Sequence, residues 1–330
     1  VPTRWGICQA GKTAMVPWWP WGGVAVAIAA RDLARAQEYA KKHGIPRAYG
    51  SYEELARDPD VDVVYVGVIH PEHLPVGRLF LGAGKPVLLE KPLGMNAAEV
   101  RELVQLARSQ GVFLMEAFWS RFFPISEQIR QLLTQGAVGE VKLISVTVGH
   151  PMENIPRLVE KKLGGGAILD IGCYCVQFAS MVFGGERPES VVLRFLFPGV
   201  DETTSVILNY AGKRQAVLSC TMRIALPNQA QICGTQGSIE VCLPAPWYAP
   251  TTVIVNGQRH ECPLPPPSQP LNFTNGTGMR YEAQHVRECL LGGRKESPIM
   301  SLADSELVAS IVDEVRRQLG VTFAGDQRQG

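Results

Sequence analysis

The chain has 330 residues, 46% of them hydrophobic, and a formal net charge of +1, which is enough for two hydrophobic cores. A near-neutral charge without a run of like charges excludes nucleic acid as the main partner, because counterion release needs a concentrated basic face. The eight cysteines include no CxxC pair. Cys173 and Cys175, two apart on a helical segment, point to different sides, so no metal site is expected and the thiols read as reduced and buried.

Arg4-Trp5-Gly6-Ile7-Cys8 is the first strand candidate. It begins by about Arg4, which leaves no room for a signal peptide, and no uninterrupted apolar run reaches the ~20 residues a membrane helix needs. A soluble, cytoplasmic chain is expected. Laid over the fingerprint G-x-G-x-x-G/A, the stretch after the strand keeps Gly11 and Ala14 but has Gln9 in the first place. Gly11 would let the backbone approach a pyrophosphate. Residues 15–23 carry two prolines and two glycines, so a regular helix of three turns cannot follow. Trp18, Trp19 and Trp21 either cover the sheet there or mark a contact surface.

Residues 24–30 form the second strand, which ends on alanines and then Arg31. Enzymes selective for NAD place an acid here to hold the ribose hydroxyls. An arginine instead fits a 2′-phosphate, with Arg35 one helical turn away, so NADP is the expected cofactor. The competing reading is two solvated helix-surface arginines.

Strand and helix then alternate, with strands at 61–67, 86–90 and 112–116 and helices at 72–84 and 97–109, the pattern of a parallel sheet wrapped by helices. His70 and His73 are three apart at a helix start. Without a third ligand nearby they read as cofactor-edge or capping residues. The strand Val87-Leu88-Leu89 runs into Glu90-Lys91-Pro92. The carboxyl ends of such strands open onto the ligand crevice, and proline fixes where the strand stops, so Lys91 is a candidate to reach a substrate.

After Glu116 the pattern changes. An aromatic stretch, 117–124, leads into a helix at 126–135. Alternating segments follow at 142–148, 191–197, 204–210, 215–222, 229–233, 238–242 and 252–255. Short strands joined by Gly, Pro and Asn turns mean a large, mainly antiparallel sheet, with one face on helices and the other available to a second subunit. Residues 164–178 are apolar nearly all round, as in a buried helix. Asp170 and Tyr174, four apart, share its only polar stripe. A core tyrosine bonded to a carboxylate would read the same way. Helices at 280–291 and 302–319 close the chain.

Glu90-Lys91-Pro92, Glu116 with Arg121, and the run from Gly164 through Asp170 to Tyr174 resemble the glucose–fructose oxidoreductase, inositol dehydrogenase and MocA family over nearly the whole chain. Residues 29–32, 51–56, 174–178 and 281–283 are similar to its branch that oxidises trans-dihydrodiols of aromatic hydrocarbons and D-xylose with NADP. The resemblance implies a Rossmann-type doubly wound parallel sheet over residues 1–118. A substrate-binding and dimerisation domain with an open, mainly antiparallel sheet would follow over 119–330. It implies Lys91 and Tyr174 as the catalytic pair with Asp170 beside them. Gly6, Gly11, Ala14, Arg31, Arg35, His70, His73, Glu90 and Lys91 would lie on NADP, and Trp119, Arg121, Trp247 and Phe273 around a small-molecule substrate. No metal, nucleic acid or membrane is implied, and a homodimer through the C-terminal sheet is. The alternative is a relative that keeps the fold but acts as a binding or regulatory module through its tryptophan patch.

Overall fold

The computed structural model describes residues 2–9, 23–193, 199–242, 244–267 and 273–329. Gly11, Ala14 and the tryptophans at 18, 19 and 21 lie outside the described residues. The chain divides into two compact units. The first gathers Val1–Gly94, Ala98–Phe122 and Pro265–Leu302, and the second Met95–Ala97, Phe123–Leu264 and Ala303–Gly330.

In chain order the first unit begins with β1 (Thr3–Cys8), β2 (Gly23–Ala29), α1 (Leu33–His43), β3 (Arg47–Tyr49), α2 (Tyr52–Arg57) and β4 (Val63–Val66). It continues with α3 (His73–Gly82), β5 (Val87–Glu90), α4 (Ala97–Gln110) and β6 (Leu114–Ala117). The strands form one sheet in the order β3-β2-β1-β4-β5-β6, every pair parallel. Val63, Val64, Val66, Val87, Leu88 and Leu89 are all fully buried. Consecutive residues buried on both faces are what helix-covered parallel strands require. The strand order reverses between β1 and β4, and such a switch point opens a ligand crevice at the strands' carboxyl ends.

The helix ends in this unit follow local chemistry. Asp32 caps α1 by accepting from the Ala34 N–H, and Gly44 closes it in the left-handed region at φ 65°. Ser51 and Glu54 form a reciprocal capping box on α2. Neither α2 nor β3 was expected, although Ser51-x-x-Glu54 is the sequence signature of such a start.

The second unit contains α5 (Pro124–Thr134), β7 (Val141–Gly149), α6 (Pro156–Val159), a π-helical turn (Ile168–Gly172), α7 (Cys173–Val182) and β8 (Ser190–Val192). Next come β9 (Thr203–Tyr210), β10 (Arg214–Thr221), β11 (Ala230–Gly234), β12 (Gly237–Val241), β13 (Thr252–Val255) and the unexpected β14 (Gln258–Glu261). Helix α8 (Met279–Leu291) returns to the first unit, and α9 (Leu302–Leu319) lies mostly in the second. The second sheet runs β14-β13-β12-β11-β7-β10-β9-β8. Its pairs are antiparallel except β7 with β10, which run parallel. The chain between those two strands crosses over through α6 and α7 instead of turning back as a hairpin. Along β9 the alternation is strict: Thr204, Val206, Leu208 and Tyr210 are buried while Thr203, Ser205 and Ile207 are exposed. The sheet meets α7 through β7 and β10. The stretch Lys161–Val182 is apolar and long enough to pass for a membrane span, yet 89% of its most apolar window is buried, as in a core helix.

Candidate active site

In the first unit, β5 delivers Glu90 and Lys91 to the carboxyl edge of the sheet. Glu90 accepts from the Tyr65 hydroxyl at 2.6 Å through Oε1 and from the Lys91 backbone N–H at 3.2 Å through Oε2. Tyr65 sits on the neighbouring strand β4 and pairs with Leu88, so two adjacent strands set the height of the Glu90 carboxylate. The Lys91–Pro92 peptide is cis. The Pro92 carbonyl faces His73 Nδ1 at 2.7 Å, and His73 Nε2 faces the Val68 carbonyl at 3.0 Å. His73 is fully buried, and burial pushes its pKa down to about 4 despite the two carbonyls. It does not cap α3; it ties the segment after β4 to the segment after β5. His70 is buried with its ring 5.6 Å from that of His73.

Other expected residues of this unit fall in different settings. Gly6 lies inside β1, where an added Cβ would stand 2.9 Å from Val61 Cγ1 and 3.0 Å from Leu55 Cδ1. Core packing alone therefore accounts for the glycine. Arg31 and Arg35 are exposed at and beyond the end of β2. Both act electrostatically on Tyr52, whose pKa burial pushes up to about 12. Trp119 and Arg121 lie on a short 3₁₀ turn, Trp119–Phe122, and both are buried. The Arg121 guanidinium donates to the Ile299 carbonyl at 2.8 Å. Phe273 is 42% exposed. Sequence reasoning missed Glu282 on α8. It is buried, and burial together with the Glu90 charge drives its pKa well up.

In the second unit, Asp170 and Tyr174 lie where the π-helical turn meets α7. The π turn closes i→i+5 where an α-helix closes i→i+4. Asp170 accepts from Arg157 of α6 at 2.8 Å. The turn is held from outside by Asp201, whose backbone carbonyl accepts from Ala167 N–H at 2.7 Å. Its carboxylate Oδ2 accepts from Ile168 N–H at 2.8 Å and Thr204 Oγ1 at 3.0 Å. Gly166 has φ +133°, and a Cβ there would stand 2.6 Å from Asp201 Oδ1. Only glycine fits such an approach in that conformation, which explains the end of the triple-glycine run.

The Tyr174 ring is 6.2 Å from that of Tyr248. Tyr248 shares a 2.8 Å hydrogen bond with His150 Nε2. Trp247, expected to line the substrate, is 2% exposed and donates its indole N–H to the Thr147 carbonyl at 3.0 Å. Its ring meets Phe178 edge-on at 5.1 Å. The structure thus gathers Trp247 with the Tyr174 helix and adds His150 and Tyr248. The sequence signals for these two were slight: an aromatic pair between Pro246 and Pro250, and a histidine directly after a strand.

Known proteins share this arrangement of a parallel sheet followed by a mixed one. Residues 9–118 match the model of the "Oxidoreductase family, NAD-binding Rossmann fold". Residues 126–240 match that of the GFO/IDH/MocA C-terminal domain. The chain is 59% identical over 329 residues to a trans-1,2-dihydrobenzene-1,2-diol dehydrogenase of Xenopus tropicalis, covering 97% of this chain and 99% of that protein. The chain belongs to the GFO/IDH/MocA oxidoreductase family. A human protein of the same name is 50% identical, with 98% and 99% covered. A 3-ketoreductase from Actinomadura kijaniata, solved with NADP and TDP-benzene, superposes with a TM-score of 0.81 at 25% identity, covering 96% of this chain and 98% of that one. For a GFO/IDH/MocA oxidoreductase the first unit is an NAD(P)-binding Rossmann domain, and the full-length relatives are dehydrogenases, so the binding-module alternative is not favoured.

Proposed function

We propose that the chain oxidises trans-dihydrodiols of aromatic hydrocarbons with NADP+, and D-xylose and related pyranoses by the same chemistry. The observation that carries this reading is the 59% identity, over nearly the full length of both chains, to a dehydrogenase named for such a diol. For the cofactor, the residues at the end of β2 fit a 2′-phosphate: Arg31 is exposed, and the neighbouring Asp32 carboxylate faces the first turn of α1 as its cap. An acid engaged there is poorly placed to select ribose hydroxyls.

Tyr174 is assigned as the base and Lys91 as the cation that favours its phenolate. A phenol titrates near ~10 in water, and a neighbouring ammonium lowers that value toward a usable range. Tyr174 takes the proton of the reacting hydroxyl. NADP+, when bound, supplies the hydride acceptor. A dihydrodiol of benzene gives a hydroxyketone that tautomerises to catechol, and D-xylose gives the lactone. Among the described residues none of the eight cysteines forms a disulfide, which suits a reducing, cytoplasmic setting. Leu143 and Ile207 stand exposed on the open face of the second sheet, and the proposed homodimer uses that face.

The test is initial-rate oxidation of trans-1,2-dihydrobenzene-1,2-diol and D-xylose with NADP+ and NAD+. NADP-dependent turnover of the diol is expected. No turnover of either substrate with either nucleotide would remove the proposal.

A further inference from the structure

His150 follows β7 directly and Tyr248 lies in the loop before β13; both are half-buried. Their rings stand 5.8 Å apart at 74°, joined by the 2.8 Å contact between Tyr248 Oη and His150 Nε2. The pair is held on several sides. His150 N–H donates to the Thr221 carbonyl at 3.1 Å, and Trp247 N–H donates to the Asn228 carbonyl at 3.1 Å. Asn228 Oδ1 in turn accepts from Gly149 N–H at 2.7 Å. The Trp247 ring, 6.0 Å from that of Tyr248, is wedged against Phe178, one turn beyond Tyr174 on α7. Both polar groups are therefore fixed before any ligand arrives, as a selective site requires.

Burial lowers the His150 pKa and raises that of Tyr248 to about 12, so near neutral pH the ring is uncharged and the phenol keeps its proton. An uncharged imidazole has one bare and one protonated nitrogen. With Nε2 bare, Tyr248 donates to it and its oxygen is left as an acceptor. With Nε2 protonated, His150 donates and the Tyr248 hydroxyl is left as a donor. A group that both donates and accepts satisfies either state, and a hydroxyl is such a group.

We propose that His150 and Tyr248 form a specificity-determining pair that holds the second, non-reacting hydroxyl of a vicinal diol while the first is engaged at Tyr174. This rests on the assignment of Tyr174 as the base. It also gives the preference for diols a physical source. A substrate lacking the second hydroxyl leaves a fixed polar pair without its partner, which is discriminated far more strongly than the loss of an apolar contact.

The experiment compares trans-1,2-dihydrobenzene-1,2-diol with trans-cyclohexane-1,2-diol and cyclohexanol, each measured as a substrate or as a competitive inhibitor of the full chain with NADP+. In Tyr248→Phe, the KM for diols rises about tenfold or more with a smaller change in kcat, and the preference for cyclohexanediol over cyclohexanol falls about 10- to 100-fold. His150→Gln retains a donor and an acceptor and falls between wild type and Tyr248→Phe. A thermal melt establishes that each variant is folded, and His150→Gln serves as the readout if Tyr248→Phe is not. An unchanged diol preference, or equal losses of kcat for diol and mono-alcohol, overturns the inference. Tyr174→Phe separates the two assignments. Retained turnover there removes the base, whereas an inactive Tyr174→Phe with an unaltered preference in Tyr248→Phe removes only the diol-binding pair.

Discussion

Glu90 and Lys91 stand at the end of a strand whose preceding residues Val87, Leu88 and Leu89 are fully buried and hydrogen-bonded to strands on both sides. Asp170 and Tyr174 stand on a helix that begins as a π turn and takes its N-terminal bonds from Asp201, a residue 31 positions beyond Asp170 in the chain. A parallel strand fixes the position of its last side chain through a ladder of equivalent bonds, so a local pattern suffices to place it. An irregular turn has no ladder. Its shape depends on a distant carboxylate and on a glycine that leaves room for it.

The largest expected effect follows from the pair assigned across these two settings. Lys91→Ala and Tyr174→Phe should each lower kcat/KM for the diol about 10²- to 10⁴-fold, the usual range for removing acid–base assistance. NADPH binding, read by fluorescence titration, should survive in Tyr174→Phe. If the two variants differ by orders of magnitude, with Lys91→Ala near wild type, the strand-end lysine is not part of the chemistry.

A smaller effect tests how rigid the strand-end region is. His73 is neutral in the folded protein because burial holds its pKa near 4, against 6.5 for an ordinary histidine. Between those values the unfolded chain binds more protons than the native one, so stability is complete above about pH 6.5 and declines as pH falls toward 4. The size is about 3.5 kcal/mol at most, from the roughly 2.5 pH units between those values at 1.4 kcal/mol each. Urea midpoints measured across that window should fall on acidification, and His73→Gln should flatten the slope contributed by this residue. A wild-type midpoint that rises on acidification would mean that the Pro92 and Val68 carbonyls outweigh burial and hold an imidazolium.

The corresponding probe in the second unit is Asp201. Its carboxyl is buried, which raises its pKa, and its Oδ2 accepts from the Ile168 N–H and the Thr204 hydroxyl. Asp201→Ala strands the Ile168 N–H and should cost about 1–3 kcal/mol, with kcat for the diol reduced as the turn carrying Asp170 shifts. Asp201→Asn keeps an acceptor and should recover most of both. Equal stability and rate in the alanine variant would show that the π turn holds itself.

The same contrast governs what the sequence made legible. The strands containing Val64 and Leu88, the helices covering them and the sheet of the second unit follow from periodicity, because each element repeats one local rule. Motif and resemblance single out Lys91 and Tyr174 as the residues to test. They do not single out Asp201, His150, Tyr248 or Glu282: each acts through a partner brought close by the fold, and neither composition nor spacing marks such a meeting. The parallel pairing of β7 with β10 was missed for the same reason, since alternation along a strand says nothing about the direction of its neighbour.

The smallest expected effect concerns the cofactor edge, where a side chain set by the sheet reaches into solvent. Arg31 is exposed, so any contact with a 2′-phosphate is partly screened, and a charge-assisted bond in that setting is worth nearer 1.5 than 3 kcal/mol. Arg31→Ala should therefore raise the KM for NADP+ roughly tenfold while leaving that for NAD+ within about a factor of two. Raising the salt concentration should narrow the wild-type preference toward that of the variant, because screening weakens only the phosphate contact. Arg35→Ala, one turn further along α1, should show a weaker version of the same selectivity. Equal losses for both nucleotides would place Arg31 in the structure of the β2–α1 junction and not on the phosphate, and the acid engaged at the helix cap would then be the residue to re-examine, by testing whether Asp32→Asn alters NAD+ affinity.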